Sequence, residues 1–79
     1  MLYDKEQNIK AINKAIKLVK ESKFASANNE LVHSDVSDDE RDLFRLLVLE
    51  DLEYENGEFP STFSFLNGLL EDFEKFEEE

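Results

Sequence analysis

The sequence predicts an all-α fold, a small three-helix bundle in which residues 1–79 form a single acidic helical domain. Three observations carry this. Apolar residues recur every three or four positions in three separate stretches. Helix start and stop signals bracket those stretches. Strand-like alternation is confined to a few residues around Asn56-Gly57.

The first helix is expected over residues 4–21. Ile9, Ile12, Ile16 and Val19 recur at helical spacing, and Ala11, Ala15 and Leu18 widen the same face. Lys10, Lys14 and Lys17 fall on the opposite side. Asp4 is suited to cap the N-terminus, and Lys20 with Lys23 suits the negative end of the helix dipole.

The second helix is expected over residues 38–55. Ser37 and Glu40 have the spacing of a capping box, in which each side chain satisfies a backbone amide at the helix start. Asp38, Asp39 and Asp42 add negative charge to the first turns, where the dipole favours it. Leu43, Leu46, Leu47, Val48 and Leu49 then make the helix apolar around most of its circumference, which predicts a place in the middle of the bundle. Asn56-Gly57 can end this helix in a left-handed conformation, with Pro60 preventing continuation. A two-residue hairpin turn at the same Asn-Gly, flanked by Leu52, Tyr54 and Phe59, is the competing reading of residues 52–63.

The third helix is expected over residues 61–77, with Phe63, Phe65, Leu66, Leu69, Leu70, Phe73 and Phe76 on one side and Asn67, Glu71, Glu74 and Glu78 on the other. Gly68 lies inside it and weakens it by about 1 kcal/mol relative to alanine; a closely passing neighbour helix would explain the glycine. Glu77, Glu78 and Glu79 sit where the dipole disfavours them, so this end is expected to fray. Between the first two helices, residues 22–36 leave room for a short extra helix anchored by Phe24, Leu31 and Val32.

Seventy-nine residues bury only somewhat over half of their unfolded surface, so the core has little to spare. Cysteine is absent, which excludes disulfides and, with a single histidine, a structural zinc site. Helix packing must supply the stability, aided by self-association or by a partner. The first residues, MLYDKEQNIK, are too polar for a signal peptide, and no run of about 18 apolar residues occurs. A cytoplasmic location is therefore expected.

The residues needed for catalysis are missing. His33 is the sole histidine, and its neighbour Ser34 is a poor partner because adjacent side chains rarely converge on one substrate. Gly57 and Gly68 cannot build a phosphate loop. Asp35, Ser37 and Asp39 fit the first positions of a calcium loop, but Glu40 stands where its glycine belongs and Leu46 where its bidentate glutamate belongs. Pairs such as Glu50/Asp51 and Glu71/Asp72 point about 100° apart on a helix and share no site. The expectation is a protein that is not an enzyme and needs no cofactor and no metal.

Charge is more telling. The net charge is −11, and residues 30–79 carry seventeen acids against three basic residues, whereas residues 1–29 carry six lysines against three acids. Phosphate contacts and anionic membranes both need basic surface, so direct nucleic-acid and membrane binding are disfavoured. A protein partner with a basic surface, such as a nucleic-acid-binding enzyme, is favoured. The candidate contact residues are Asp38, Asp39, Asp42, Glu50, Asp51, Glu53, Glu55, Glu58, Glu71, Asp72, Glu74, Glu77 and Glu78. Their density can approach that of duplex DNA, with one charge about every 1.7 Å, so that the chain would act as a DNA mimic. The plainer reading of each acid is a solvated surface group that keeps a small protein soluble.

In size, charge and glutamate-rich C-terminal helix, the chain resembles the broad class of small acidic helical inhibitors. These include phage and plasmid products that block restriction, CRISPR or host nucleases, and immunity proteins for nuclease toxins. The likeness implies an inhibitor of a nucleic-acid enzyme; no family motif accompanies it. The alternative is a helical interaction or regulatory module, homodimeric or bound to another protein, that binds through exposed Phe/Leu surface, with Phe59, Phe63, Phe65 or Phe76 among the anchors.

Overall fold

A computed structural model describes residues 2–54 and 56–75. Four helices are present among them: α1 (Lys5–Lys20), α2 (Phe24–Val32), α3 (Asp38–Tyr54) and α4 (Pro60–Lys75). The small helical bundle is as expected, with the optional extra segment realised as a nine-residue helix. There is no strand among the described residues, so residues 52–63 do not form the hairpin. Instead α3 ends at Tyr54, and Asn56 (φ 31°) and Gly57 (φ 87°) take the left-handed conformations that turn the chain into α4. The proposed helix ends at Glu55 and Glu77 lie outside the described residues, as do Phe76, Glu78 and Glu79.

Local signals set the helix ends. The amide of Gln7 donates to Asp4 Oδ1 at 2.7 Å, and the Asp4 amide donates to Gln7 Oε1 at 3.1 Å, a full capping box where a single cap is expected. At the far end of α1, the Lys23 amide donates to the Leu18 carbonyl at 2.8 Å and the Ser22 amide to that of Val19 at 3.0 Å. This is a Schellman motif, and it holds Ser22 at φ 61°, a conformation usually given to glycine. The predicted box at α3 is formed: the Glu40 amide donates to Ser37 Oγ at 3.2 Å, and the Ser37 amide donates to Glu40 Oε1 at 3.1 Å.

The cap of α4 comes from another helix. Phe59 occupies the position before Pro60, its carbonyl accepts from the Phe63 amide at 2.9 Å, and its side chain has no oxygen to offer. Asp51 of α3 serves in its place. Its Oδ2 accepts from the Thr62 amide at 2.9 Å and from Thr62 Oγ1 at 2.8 Å. Both residues are buried, Asp51 to 1% exposure. A carboxylate at a helix N-terminus is favoured twice, by the free amides and by the dipole.

That bond lies on the side of α3 that faces inward. Asp51, Phe44 and Val48 share one face, and all three are buried. The expectation that α3 lies in the middle of the bundle is corrected: Leu43, Leu46 and Leu49 are exposed, because the Asp51 face turns toward α4 instead. The helix that packs deepest is α1, which buries Asn8, Ala11, Ile12, Ala15 and Val19. It packs against α2 and α4, while α3 packs against α4 and α2. Among the described residues α1 and α3 do not meet, so they occupy opposite corners of the bundle. Ala11 and Ala15 on α1 and Ala27 on α2 are small enough to let those two helices approach.

The core gathers Ile12, Val19, Leu31, Val36, Phe44, Val48, Phe59, Leu66 and Leu69, with Phe24, Phe63, Phe65 and Phe73 packed around it. Phe59 sits between Phe24 and Phe63, at ring-centre distances of 5.0 and 6.4 Å. Two smaller expectations are corrected. Val32 does not anchor α2; it is 43% exposed, and Ala27 and Leu31 do the anchoring. Gly68 has no close neighbour, since a Cβ built there meets nothing within 4 Å.

Candidate interaction surface

The residues nominated from sequence fall into three groups. Asp38, Asp39, Asp42, Glu50, Glu53, Glu58, Glu71, Asp72 and Glu74 are exposed. Glu55, Glu77 and Glu78 lie outside the described residues. Asp51 is the correction: buried and committed to Thr62, it offers no charge to a partner. A single acid inside an acidic run carries no local mark of burial, and its partner Thr62 lies eleven residues away on the next helix.

With about 100° between successive residues, the buried Phe44–Val48–Asp51 face of α3 has a definite opposite. There stand Asp39, Asp42, Leu46, Leu49, Glu50 and Glu53, all exposed. Leu46 and Leu49 are 63% and 62% exposed, so the face mixes carboxylates with bare aliphatic surface. From Asp39 to Glu53 the helix rises about 21 Å, which spaces its four outward acids several times more widely than duplex phosphates. Basic residues partly offset the charge. Arg41 pairs with Asp38, and Arg45 Nη1 lies 3.9 Å from Asp42 Oδ1.

The lysines have their own side. Lys10, Lys14 and Lys17 point away from the buried face of α1, and Lys14 Nζ reaches Glu30 of α2 at 3.7 Å. Since α1 and α3 stand at opposite corners, the basic and acidic flanks face in different directions.

Asp35, considered above for calcium, is engaged elsewhere. Its Oδ1 accepts from the Leu2 amide at 2.9 Å, and its Oδ2 from the Tyr3 amide at 3.2 Å and Asn8 Nδ2 at 2.8 Å. Asn8 Oδ1 in turn accepts from the Asp35 amide at 2.8 Å. Desolvation pulls the Asp35 pKa upward, but the bonds from Asn8, Leu2 and Tyr3 outweigh it and hold the pKa below the usual aspartate value. Ser37 is likewise occupied by its capping box.

No group of three or more potential metal ligands converges among the described residues. The cleft between the end of α1 and the start of α4, about 430 Å³, opens to solvent and has Lys20 and Glu58 as its titratable lining. His33 follows α2 as an exposed cap residue. None of the described helices is long and apolar enough to cross a membrane.

The fold and surface together define a four-helix bundle with a lysine-bearing corner helix and an acidic, leucine-bearing one diagonally across from it. Against family models, curated proteins and solved structures, the chain returns no match.

Proposed function

We propose that the chain is a non-catalytic binding protein that docks its acidic flank on a basic surface of a protein partner, of the kind that holds nucleic acid. The supporting observation is the outward face of α3, where Asp39, Asp42, Glu50 and Glu53 stand exposed on a capped helix diagonally opposite the lysines of α1. A folded helix presents these carboxylates without a backbone ordering cost on binding. The lysine flank stays outside the contact.

The test begins with partner capture on the immobilised chain and continues with the purified pair. Affinity should fall by about a hundredfold or more between about 50 and 500 mM salt, and the chain should displace a labelled oligonucleotide from its partner. Reversing four exposed acids (Glu50→Lys, Glu53→Lys, Glu71→Lys and Asp72→Lys) should weaken binding by a similar factor with helicity retained. Affinity indifferent to both salt and reversal would rule the acidic contact out.

A second reading, that of an interaction module working through apolar surface, is favoured by one observation. Of the Phe/Leu surface this reading expects, the leucine part is present, since the exposed apolar side chains include Leu43, Leu46, Leu49 and Leu52 of α3. The phenylalanines differ, with Phe59 buried, Phe63 and Phe65 half-buried and Phe76 outside the described residues.

A further inference from the structure

Leu43, Leu46, Leu49 and Leu52 succeed one another every three residues along α3 and stay 45%, 63%, 62% and 50% exposed. Side chains three apart on a helix form one of the ridges by which helices interlock. This ridge runs for about 14 Å. Each step of this row turns about 60° round the axis, so Leu46 and Leu49 together form an apolar centre on the outward face, with Leu43 and Leu52 at its two edges. Single exposed leucines are ordinary on a soluble protein, but a patch of this sort marks a contact. Asp42 stands beside its first half and Glu50 and Glu53 beside its second, all exposed.

We propose that this ridge is the seat for a basic amphipathic helix of the partner protein. The partner's apolar stripe packs on Leu46 and Leu49, bordered by Leu43 on one side and Leu52 on the other, and its flanking lysines or arginines meet Asp42, Glu50 and Glu53. The inference rests on the reading of the acidic flank as a docking surface and names the shape and chemistry of what docks. A purely polar phosphate-binding groove would leave the leucines without partners.

Charge complementarity selects this occupant. A second copy packed ridge to ridge would set Asp42, Glu50 and Glu53 against their own equivalents, on chains each carrying a net charge of −11. Anionic membranes and nucleic acids are repelled for the same reason. A helix with basic flanks meets neither obstacle. It exchanges the exposed Arg45–Asp42 contact, 3.9 Å long, for a closer one.

The probe is an amidated peptide of about 18 residues, long enough to cover the ridge, built from leucine and lysine with the leucines on one helical face. The control has the same composition with its leucines spread around the helix. Each is titrated into the full-length, isotope-labelled chain and followed by backbone NMR. The faced peptide should bind about tenfold more tightly than the control, with shifts concentrated between Leu43 and Glu53. The Leu46→Ser/Leu49→Ser double variant should lose about tenfold toward the faced peptide only. Glu50→Lys/Glu53→Lys should weaken both peptides while preserving the preference between them.

Equal, salt-sensitive binding of both peptides would overturn the ridge proposal and leave acidic docking standing. Absence of binding by either would overturn both. Shifts centred outside α3 would overturn the ridge alone, as would a wild-type dimer that Leu46→Ser/Leu49→Ser converts to monomer.

Discussion

Alanine at position 51 would deprive the Thr62 amide and hydroxyl of their shared acceptor in a site closed to water. Loss of a helix cap costs about 1 kcal/mol, and leaving buried donors unsatisfied adds about 1–3 kcal/mol. Asp51→Ala should therefore lower the stability measured by urea denaturation by about 2–4 kcal/mol, while Asp51→Asn, which keeps one acceptor oxygen, should lose less. A change for alanine no larger than that at an exposed acid such as Glu53 would refute the capping role. Asp35 is the second residue whose carboxylate organises backbone, gathering the amides of Leu2 and Tyr3 and the Asn8 side chain. Its pKa is lowered by folding, so its contribution is complete above the ordinary aspartate value of about 3.9 and disappears as pH falls through the lower folded-state value. Between pH 7 and strongly acid conditions, the stability of wild type should fall more steeply than that of Asp35→Asn. Parallel profiles would show that Asp35 is not the group responsible. Neither role shows in the sequence, because each joins residues that are neighbours only after folding: Asn8 with Asp35, Asp51 with Thr62.

At the level of helices, local chemistry was the better guide. The positions of α1, α3 and α4 follow from periodicity, from Asp4, from Ser37 with Glu40, and from Gly57 with Pro60, because each signal acts within one turn of its own chain. The orientation of α3 about its axis was not legible. Leu43, Leu46, Leu47, Val48 and Leu49 surround the helix, so the pattern offered several inward faces, and the Asp51–Thr62 bond from outside the pattern goes with one of them. Reading α3 as central followed from the same ambiguity. Gly68 supplies a test at this scale. It lies within α4 with open space where a side chain would stand. Gly68→Ala should raise stability by about 1 kcal/mol through helix propensity and reduced unfolded-state freedom, seen as a higher urea midpoint. A lower midpoint would mean that the space around Gly68 is needed.

Across the whole molecule, composition foretold the charge imbalance and packing alone revealed its geometry. That acids crowd the later part of the chain is plain from the sequence; that α1 and α3 occupy diagonal corners depends on how four helices close around one core. The candidate surface was legible to the same degree: nine nominated acids are exposed, Asp51 is not, and the leucines between them were assigned to the core. The diagonal arrangement separates lysines from carboxylates across the width of the bundle, which gives the folded chain an electric moment in addition to its net charge. A cation-rich body approaching from any direction would exert a torque as well as a pull, turning the particle toward its acidic side. Under the proposed docking, tumbling would be biased before contact, and fewer encounters would arrive wrong side first.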